Sequence, residues 1–255
     1  MLNNITLGKY YAVDSLIHRI NPITKTICTI LFIISVFFAN NLTLNVCLLV
    51  LMLLMMSLSK VPMAVYFKTI FSLKWLMVIL FLVNYLTGVS LQMSVFILVR
   101  LVFVVLYTAI LTLTTAPTEI TYGLEKVFFP LKLIGIPVNK MALSISIALR
   151  FIPTIIDQSN RILKSQASRG IDYYNSKING KFMALKAMII PMFNLSIKRA
   201  DELADAMEVR LFSIKGKRTN YRINKFGLFD VIIILVHISI LCLAALKGVI
   251  IWDFL

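Results

Sequence analysis

Apolar runs about as long as a lipid hydrocarbon layer is thick recur along this chain. Val46 to Leu58 holds no charge at all, and a helix needs roughly 20 mainly apolar residues to cross a bilayer core of about 30 Å. Across all 255 residues, 60% are hydrophobic and 15% charged, against about 45–50% and 25% in an average soluble domain. That ratio excludes a water-soluble globule and, equally, an intrinsically disordered chain. Cys28, Cys47 and Cys242 lie far apart within apolar segments. They form neither a disulfide framework nor a metal-ligand set, and read as small buried hydrophobes.

Polar punctuation divides the apolar runs into spans. Asn21-Pro22 offers a helix N-cap and a proline at the first helical position, after which the chain is apolar to Ala39. Asn40, Asn41 and Thr43 interrupt it, and a second run continues to Leu58, ending at Ser59-Lys60 and Pro62. Further spans fit Thr69 to Leu86, Gln92 to Thr115 and Phe226 to Leu246. The first 25 residues carry Lys9, His18, Arg19 and Lys25 without an apolar core, unlike a secretory signal peptide. The expected fold is all-α, a polytopic membrane protein with about five transmembrane helices.

Charge sets the expected orientation. The net charge is +15, and Ala116 to Lys225 holds 18 basic and 8 acidic residues, a local excess of +10. Basic residues concentrate on the cytoplasmic side of membrane proteins. The connections Asn40 to Asn45 and Thr87 to Ser94 contain no Lys or Arg, whereas Lys60, Lys68 and Lys74 surround the second connection. A cytoplasmic N-terminus places every basic loop on one side. The chain then divides into a cytoplasmic segment 1–25, four spans within 26–116, a cytoplasmic region 117–225, and a fifth span with an external C-terminus in 226–255. Lys215, Lys217, Arg218, Arg222 and Lys225 read as a topology determinant that meets anionic lipid. The same rule explains the basic excess without nucleic acid. Within the spans, Arg100 either snorkels outward or pairs with a polar group inside the bundle. His237 is expected to be neutral and hydrogen-bonded to a neighbouring helix.

The region 117–225 shows helical periodicity of a different kind. Pro117-Thr118 opens a short helix containing Glu119 and Glu125 that closes near Phe129-Pro130. After Gly135-Ile136-Pro137, Met141, Ile145, Ala148, Leu149, Ile152 and Ser159 mark the apolar stripe of a long amphipathic helix. Pro153 predicts a bend in it, and Gly170 its end. A second long helix fits Phe182 to Phe212, with Pro191 inside and a stripe including Ile189, Phe193, Ala200, Met207 and Leu211. Lys198, Asp201, Glu202, Asp205 and Glu208 read as a solvated face, with Lys198 and Glu202 at pairing distance. Arg169 and Arg210 each fall in the expected last turn. Arg210 has no acidic residue at helical spacing, while Asp172 lies close enough in sequence to fold back on Arg169. Spacing alone leaves two roles open: stabilising the helix dipole, or docking onto a carboxylate of another chain.

Several blocks together resemble a known family. Gly8-Lys9-Tyr10-Tyr11, Asp14-Ser15 and His18-Arg19-Ile20-Asn21-Pro22 with Lys25 are similar to the opening signature of the EcfT/CbiQ proteins, transmembrane scaffolds of energy-coupling factor transporters. So are Leu149-Arg150-Phe151-Ile152-Pro153 leading to Ser168-Arg169-Gly170, and Pro191 leading through Arg199-Ala200-Asp201-Glu202 to Glu208 and Arg210. Ser168-Arg169-Gly170 and Val209-Arg210-Leu211 stand at the family's two Ala-Arg-Gly motifs. The first departs by Ser for Ala; the second keeps only its arginine and lacks the glycine that normally accompanies a helix ending. Asn21 and Ile23 stand where the family usually has Asp and Arg.

The resemblance implies that the two long helices are coupling helices. Ser168, Arg169 and Gly170, with Glu208, Val209, Arg210 and Leu211, would dock on two ABC-type ATPase subunits, identical or homologous. Pro153 and Pro191 would bend those helices. It further implies a small membrane S-component that captures a vitamin or transition-metal ion, and a place in a prokaryotic inner membrane. ATP and Mg2+ would belong to the ATPases, with no cofactor on this chain. The sequence agrees in lacking a G-x-x-x-x-G-K-[ST] phosphate loop, and its two histidines, His18 and His237, form no catalytic pattern. The competing class is a stand-alone carrier or channel. Against it, the spans hold almost no charge beyond Arg100, and no inverted repeat with broken helices is evident.

Overall fold

The computed structural model describes residues 10–11, 13–39, 41–135, 137–170, 178–213 and 226–252. Among these, all regular structure is helical: α1 (Leu16–Arg19), α2 (Pro22–Phe38), α3 (Leu42–Ser59), α4 (Met63–Ser72), α5 (Lys74–Leu86), α6 (Leu91–Thr114), α7 (Pro117–Val127), a 3-10 helix (Phe129–Ile134), α8 (Val138–Ser168), α9 (Ile178–Val209) and α10 (Leu228–Trp252). The chain is a membrane protein. α3, α6 and α10 combine sufficient length with mean hydropathies of 2.3 to 2.6. α2, with 17 residues, extends about 26 Å. Residues 140–168 of α8 also reach spanning length, but their most apolar 18-residue stretch has a mean hydropathy of only 1.3, and Arg150, Asp157, Arg161 and Lys164 punctuate the helix.

The third span departs from expectation. Instead of one helix over Thr69 to Leu86, α4 and α5 meet at Leu73 with a bend of 48°. The helix begins earlier, at Met63, and the break at Leu73 stands directly before Lys74. The Lys74 ammonium lies 4.3 Å from the ring centroid of Phe71 and 5.9 Å from that of Trp75. Such cation–aromatic groupings suit the edge of a membrane better than its interior.

Two compact units are present: the bundle of α1–α7 with α10, and the pair α8 and α9. In the bundle, α2 packs against α6, α7 and α10, while α3, α4 and α5 pack on α6. Phe32 and Val36 of α2, Leu48 and Met52 of α3, Leu106 and Ile110 of α6, and Ile240 of α10 share the buried core. The Phe32 ring stacks on Tyr107 with centroids 3.9 Å apart. Tyr107 donates its hydroxyl to His237 Nε2 at 2.6 Å, and His237 Nδ1 donates to the Ile233 carbonyl at 2.8 Å. The expected interhelical bond of His237 is therefore made to α6.

Helix ends in the bundle are tied together by charged side chains. Asp230, at the third position of α10, accepts from the Gly227 amide at 2.7 Å and from the Asn21 amide at 3.0 Å. It thus caps α10 in the manner of a capping box and holds the start of α2 with the other oxygen. The Asn21 side chain in turn caps α2 by accepting from Ile23 N at 3.0 Å. Lys25, only 6% exposed, donates to the carbonyls of Thr114 at 3.1 Å and His18 at 3.4 Å and to Thr115 Oγ1 at 3.3 Å. All three ammonium hydrogens have an acceptor. Tyr11 N donates to the Leu113 carbonyl at 2.9 Å, so the N-terminal segment and α2 together satisfy the last turn of α6.

His18 stitches that segment internally. Its ring nitrogens bond to Ser15 Oγ at 2.6 Å and to the Tyr11 carbonyl at 2.9 Å, and burial pushes its pKa below the usual imidazole value. Arg100 resolves in favour of an interior pairing. Its Nη2 donates to the Ala39 carbonyl at 3.1 Å, and Asn45 Nδ2 donates to the same oxygen at 3.2 Å. The C-terminus of α2 is capped from α6 and α3.

α7 docks on α2 through Gly123. A Cβ at this position would stand 2.6 Å from Thr26 Oγ1 and 3.0 Å from the Pro22 carbonyl oxygen. Thr26 has little freedom to retreat, since its hydroxyl donates to that same carbonyl at 2.8 Å. The Gly123→Ala variant is expected to lose about 1–3 kcal/mol from overpacking. It should show as a lower melting temperature of the detergent-purified chain; an unchanged melting temperature would mean that α7 does not depend on this close approach.

Candidate functional site

The second unit has two long helices joined by a polar clasp. With its amide oxygen facing α9, Gln158 of α8 accepts hydrogen bonds from the Arg199 guanidinium. Arg199 was legible only as part of a family-like block, and its partner lies 41 positions away, beyond the reach of helical spacing. Pro153 and Pro191 each lie inside their helix, which continues on both sides. Lacking an N–H, they leave the carbonyls of Leu149 and Ala187 without their helical donor.

The apolar stripes are covered less than amphipathic periodicity implies. Along α8, Ala142 and Ser159 are buried, whereas the expected stripe residues Met141 and Ile145 remain exposed. Along α9, Ile189, Ile190, Phe193 and Ile197 are exposed as well. A contiguous apolar face of that kind marks a surface for another partner, protein or lipid.

Both helices are followed, two positions after their last helical residue, by a residue in the left-handed conformation. At α8, Ser168 is the last helical residue, Arg169 is the C-cap, and Gly170 follows with φ +87°. The Arg169 amide donates to Gln166 at 3.1 Å and that of Gly170 to Ala167 at 3.0 Å, while Ser168 Oγ donates back to the Ser165 carbonyl at 2.8 Å. Among the described residues, nothing lies within 4 Å of where a Cβ at Gly170 would stand. Glycine is favoured there by backbone conformation, not by lack of room.

At α9, Val209 is the last helical residue, Arg210 the C-cap, and Leu211 takes the left-handed conformation with φ +54°. Leu211 N donates to the Glu208 carbonyl at 2.8 Å and Phe212 N to that of Met207 at 2.9 Å, the bonding pattern of a Schellman ending. The helix thus closes three residues before Phe212 and does so without glycine. A leucine pays roughly 1–2 kcal/mol for this conformation.

Each arginine therefore stands one residue beyond the last helical turn, at the C-cap. Arg169 and Arg210 are exposed, and neither forms an ion pair with a described residue. Glu208 is likewise exposed on the α9 tip. Asp172, the one acidic residue positioned in sequence to reach Arg169, lies outside the described residues, as does the basic run from Lys215 to Lys225. A C-cap position favours a cation through the helix dipole, and leaves the guanidinium fork free to form paired bonds to a carboxylate. Among the described residues, no group of three or more His, Cys, Asp and Glu side chains is arranged to hold a metal ion.

Comparison with known proteins bears on the whole chain. A family model described as CbiQ, cobalt transport protein, matches residues 14–221. The energy-coupling factor transporter transmembrane protein EcfT of Bacillus subtilis (strain 168) is 36% identical over 238 residues, covering 87% of this chain and 90% of that protein. EcfT of Listeria innocua is 32% identical over 268 aligned positions, with 99% of each chain covered. EcfT of Clostridium kluyveri is 34% identical over 268 positions, covering 98% of each.

The clasp between α8 and α9 yields a direct expectation. Arg199→Met keeps the stem of the side chain but removes the charge-assisted bonds to Gln158, each worth about 1.5–3 kcal/mol. Amide exchange of α9 around position 199 should speed up by about tenfold or more, and unchanged exchange would show that the clasp does not hold the pair together.

Proposed function

The chain belongs to the CbiQ family of transport proteins, and from that premise we propose that it is the scaffold through which two partner ATPases drive a substrate-binding membrane subunit. It is the transmembrane component of an energy-coupling factor transporter. The observation that carries the finer reading is the pair of long helices, α8 and α9, each ending in an exposed arginine at its C-cap.

In this proposal Arg169, set between Ser168 and Gly170, engages one ATPase subunit. Arg210, with Glu208, Val209 and Leu211, engages the other. The ATPases supply ATP, Mg2+ and hydrolysis; the chain's lack of a phosphate-cradling loop accords with that division. Closure of the ATPase pair moves the two tips, and a rigid-body displacement of this kind is an established route from nucleotide state to distant structure. The Gln158–Arg199 clasp makes displacement of one helix felt by the other. Pro153 and Pro191 are the places where each helix bends as its tip moves.

The apolar residues left uncovered on α9, Phe193 and Ile189 among them, provide surface for the S-component. Its reorientation then delivers a vitamin or transition-metal ion, with this chain binding none itself. The positive-inside pattern supports a cytoplasmic N-terminus, and the bacterial relatives support a prokaryotic inner-membrane location.

The test reverses charge at the tips. Arg210→Glu and Arg169→Glu are each expected to abolish ATPase co-purification and ATP-dependent uptake while the chain still inserts in the membrane. Normal assembly and transport by both variants would refute docking through these arginines.

A further inference from the structure

None of the 13 residues of α5 is buried, and α4, which precedes it, turns only one edge to the bundle. On that edge Tyr66 is buried and donates its hydroxyl to Ser59 Oγ at 3.0 Å, the Ser59 hydrogen being committed to the Met56 carbonyl. With Tyr66 fixed inward, the opposite edge of α4 faces out. Phe67, Phe71 and Trp75, four residues apart, are 69%, 67% and 70% exposed. Past the bend, Ile79, Leu82 and Leu86 of α5 continue the line at three- or four-residue spacing and are exposed as well.

The aromatic end of this line carries one sign of charge. Lys60, Lys68 and Lys74 are exposed around it, while the sequence from Ser15 to Thr118 holds no Asp or Glu. None of the three lysines forms an ion pair with a described residue. The Lys74 ammonium rests over Phe71 and Trp75, and a ring face steadies a cation while leaving its N–H donors for an anion. Basic, then aromatic, then aliphatic groups follow one another along a single uncovered face. That is the order of layers a phospholipid presents: phosphate, interfacial region, acyl chain. We propose that the elbow between α4 and α5 binds an anionic phospholipid, its phosphate drawn to Lys74 and Lys68 and an acyl chain lying along Ile79, Leu82 and Leu86. The occupant is a lipid because the unpaired cations stand where the aromatic and aliphatic groups change over, at headgroup level, and only an anion complements them. Such a lipid fixes the depth and bend of a helix that the bundle leaves uncovered.

The chain has two tryptophans, Trp75 and Trp252, so the full-length Trp252→Phe protein reports on the elbow alone. It is reconstituted in phosphatidylcholine vesicles that also contain phosphatidylglycerol or phosphatidylcholine brominated near the head of the acyl chain, and quenching of Trp75 is followed as the brominated fraction rises. Phosphatidylglycerol should reach half-maximal quenching at a fraction about tenfold or more below that for phosphatidylcholine, since each lysine near an anionic lipid contributes about fivefold. Lys74→Gln should cut the difference by about fivefold, Lys74→Arg should keep it, and Lys68→Gln with Lys74→Gln should bring the two lipids together. Salt at about 1 M, where the Debye length is about 3 Å, should also bring them together with both lysines intact, a result that no folding defect in a variant can imitate. Equal quenching by the two lipids at low salt would overturn the proposal, as would a phosphatidylglycerol preference that survives loss of both lysines. Quenching by neither lipid would overturn it too, by showing the aromatic line covered by protein, a second copy of the chain included.

Discussion

In a lipid interior, the carbonyls that end one helix and the amides that begin the next have no water to turn to. This chain meets that requirement with charged side chains from other helices. Lys25 of α2 donates to the end of α6, Arg100 of α6 donates to the end of α2, and Asp230 accepts from the starts of both α2 and α10. The exchange between α2 and α6 is reciprocal, so neither helix can slide along the other without stranding a charge. α7 and the stacked Phe32 and Tyr107 rings pack on the frame those bonds define.

The same chemistry is left open in the second unit. Arg169 and Arg210 occupy the place at a helix terminus that Lys25 and Arg100 fill for their neighbours, but they come from the terminating helix itself and are exposed. In the bundle, cations at helix ends are consumed in holding the fold. At the tips of α8 and α9 they remain available, and the proposed function lies in that difference.

The sequence disclosed the bundle better than its joints. Uncharged runs such as Val46 to Leu58 located the spans, because exclusion of charge from lipid acts on composition alone. Lys74 was visible, but the break beside it at Leu73 and its placement over Phe71 and Trp75 were not. Arg100 and His237 were recognisable as groups needing partners; Ala39 and Tyr107 could not be named, since only packing brings such distant positions together. Gly170 announced the end of α8 by residue type. Leu211 hid the end of α9, because its left-handed turn comes from the two hydrogen bonds that close the helix and not from any preference of leucine. The Gln158–Arg199 clasp was hidden for the reason that conceals any contact between separate helices.

The Tyr107–His237 pair has a further consequence for a protein in a membrane. A buried hydroxyl beside an imidazole can begin a proton wire, and one leading onward would let protons leak across the bundle. Here the wire ends within one step. His237 Nδ1 faces the Ile233 carbonyl, which has no proton to relay, and Nε2 is already occupied by the Tyr107 hydroxyl. The imidazole is locked in one tautomer, and the tyrosine ring is covered by Phe32. The pair joins two helices while keeping the bundle electrically insulating at this point.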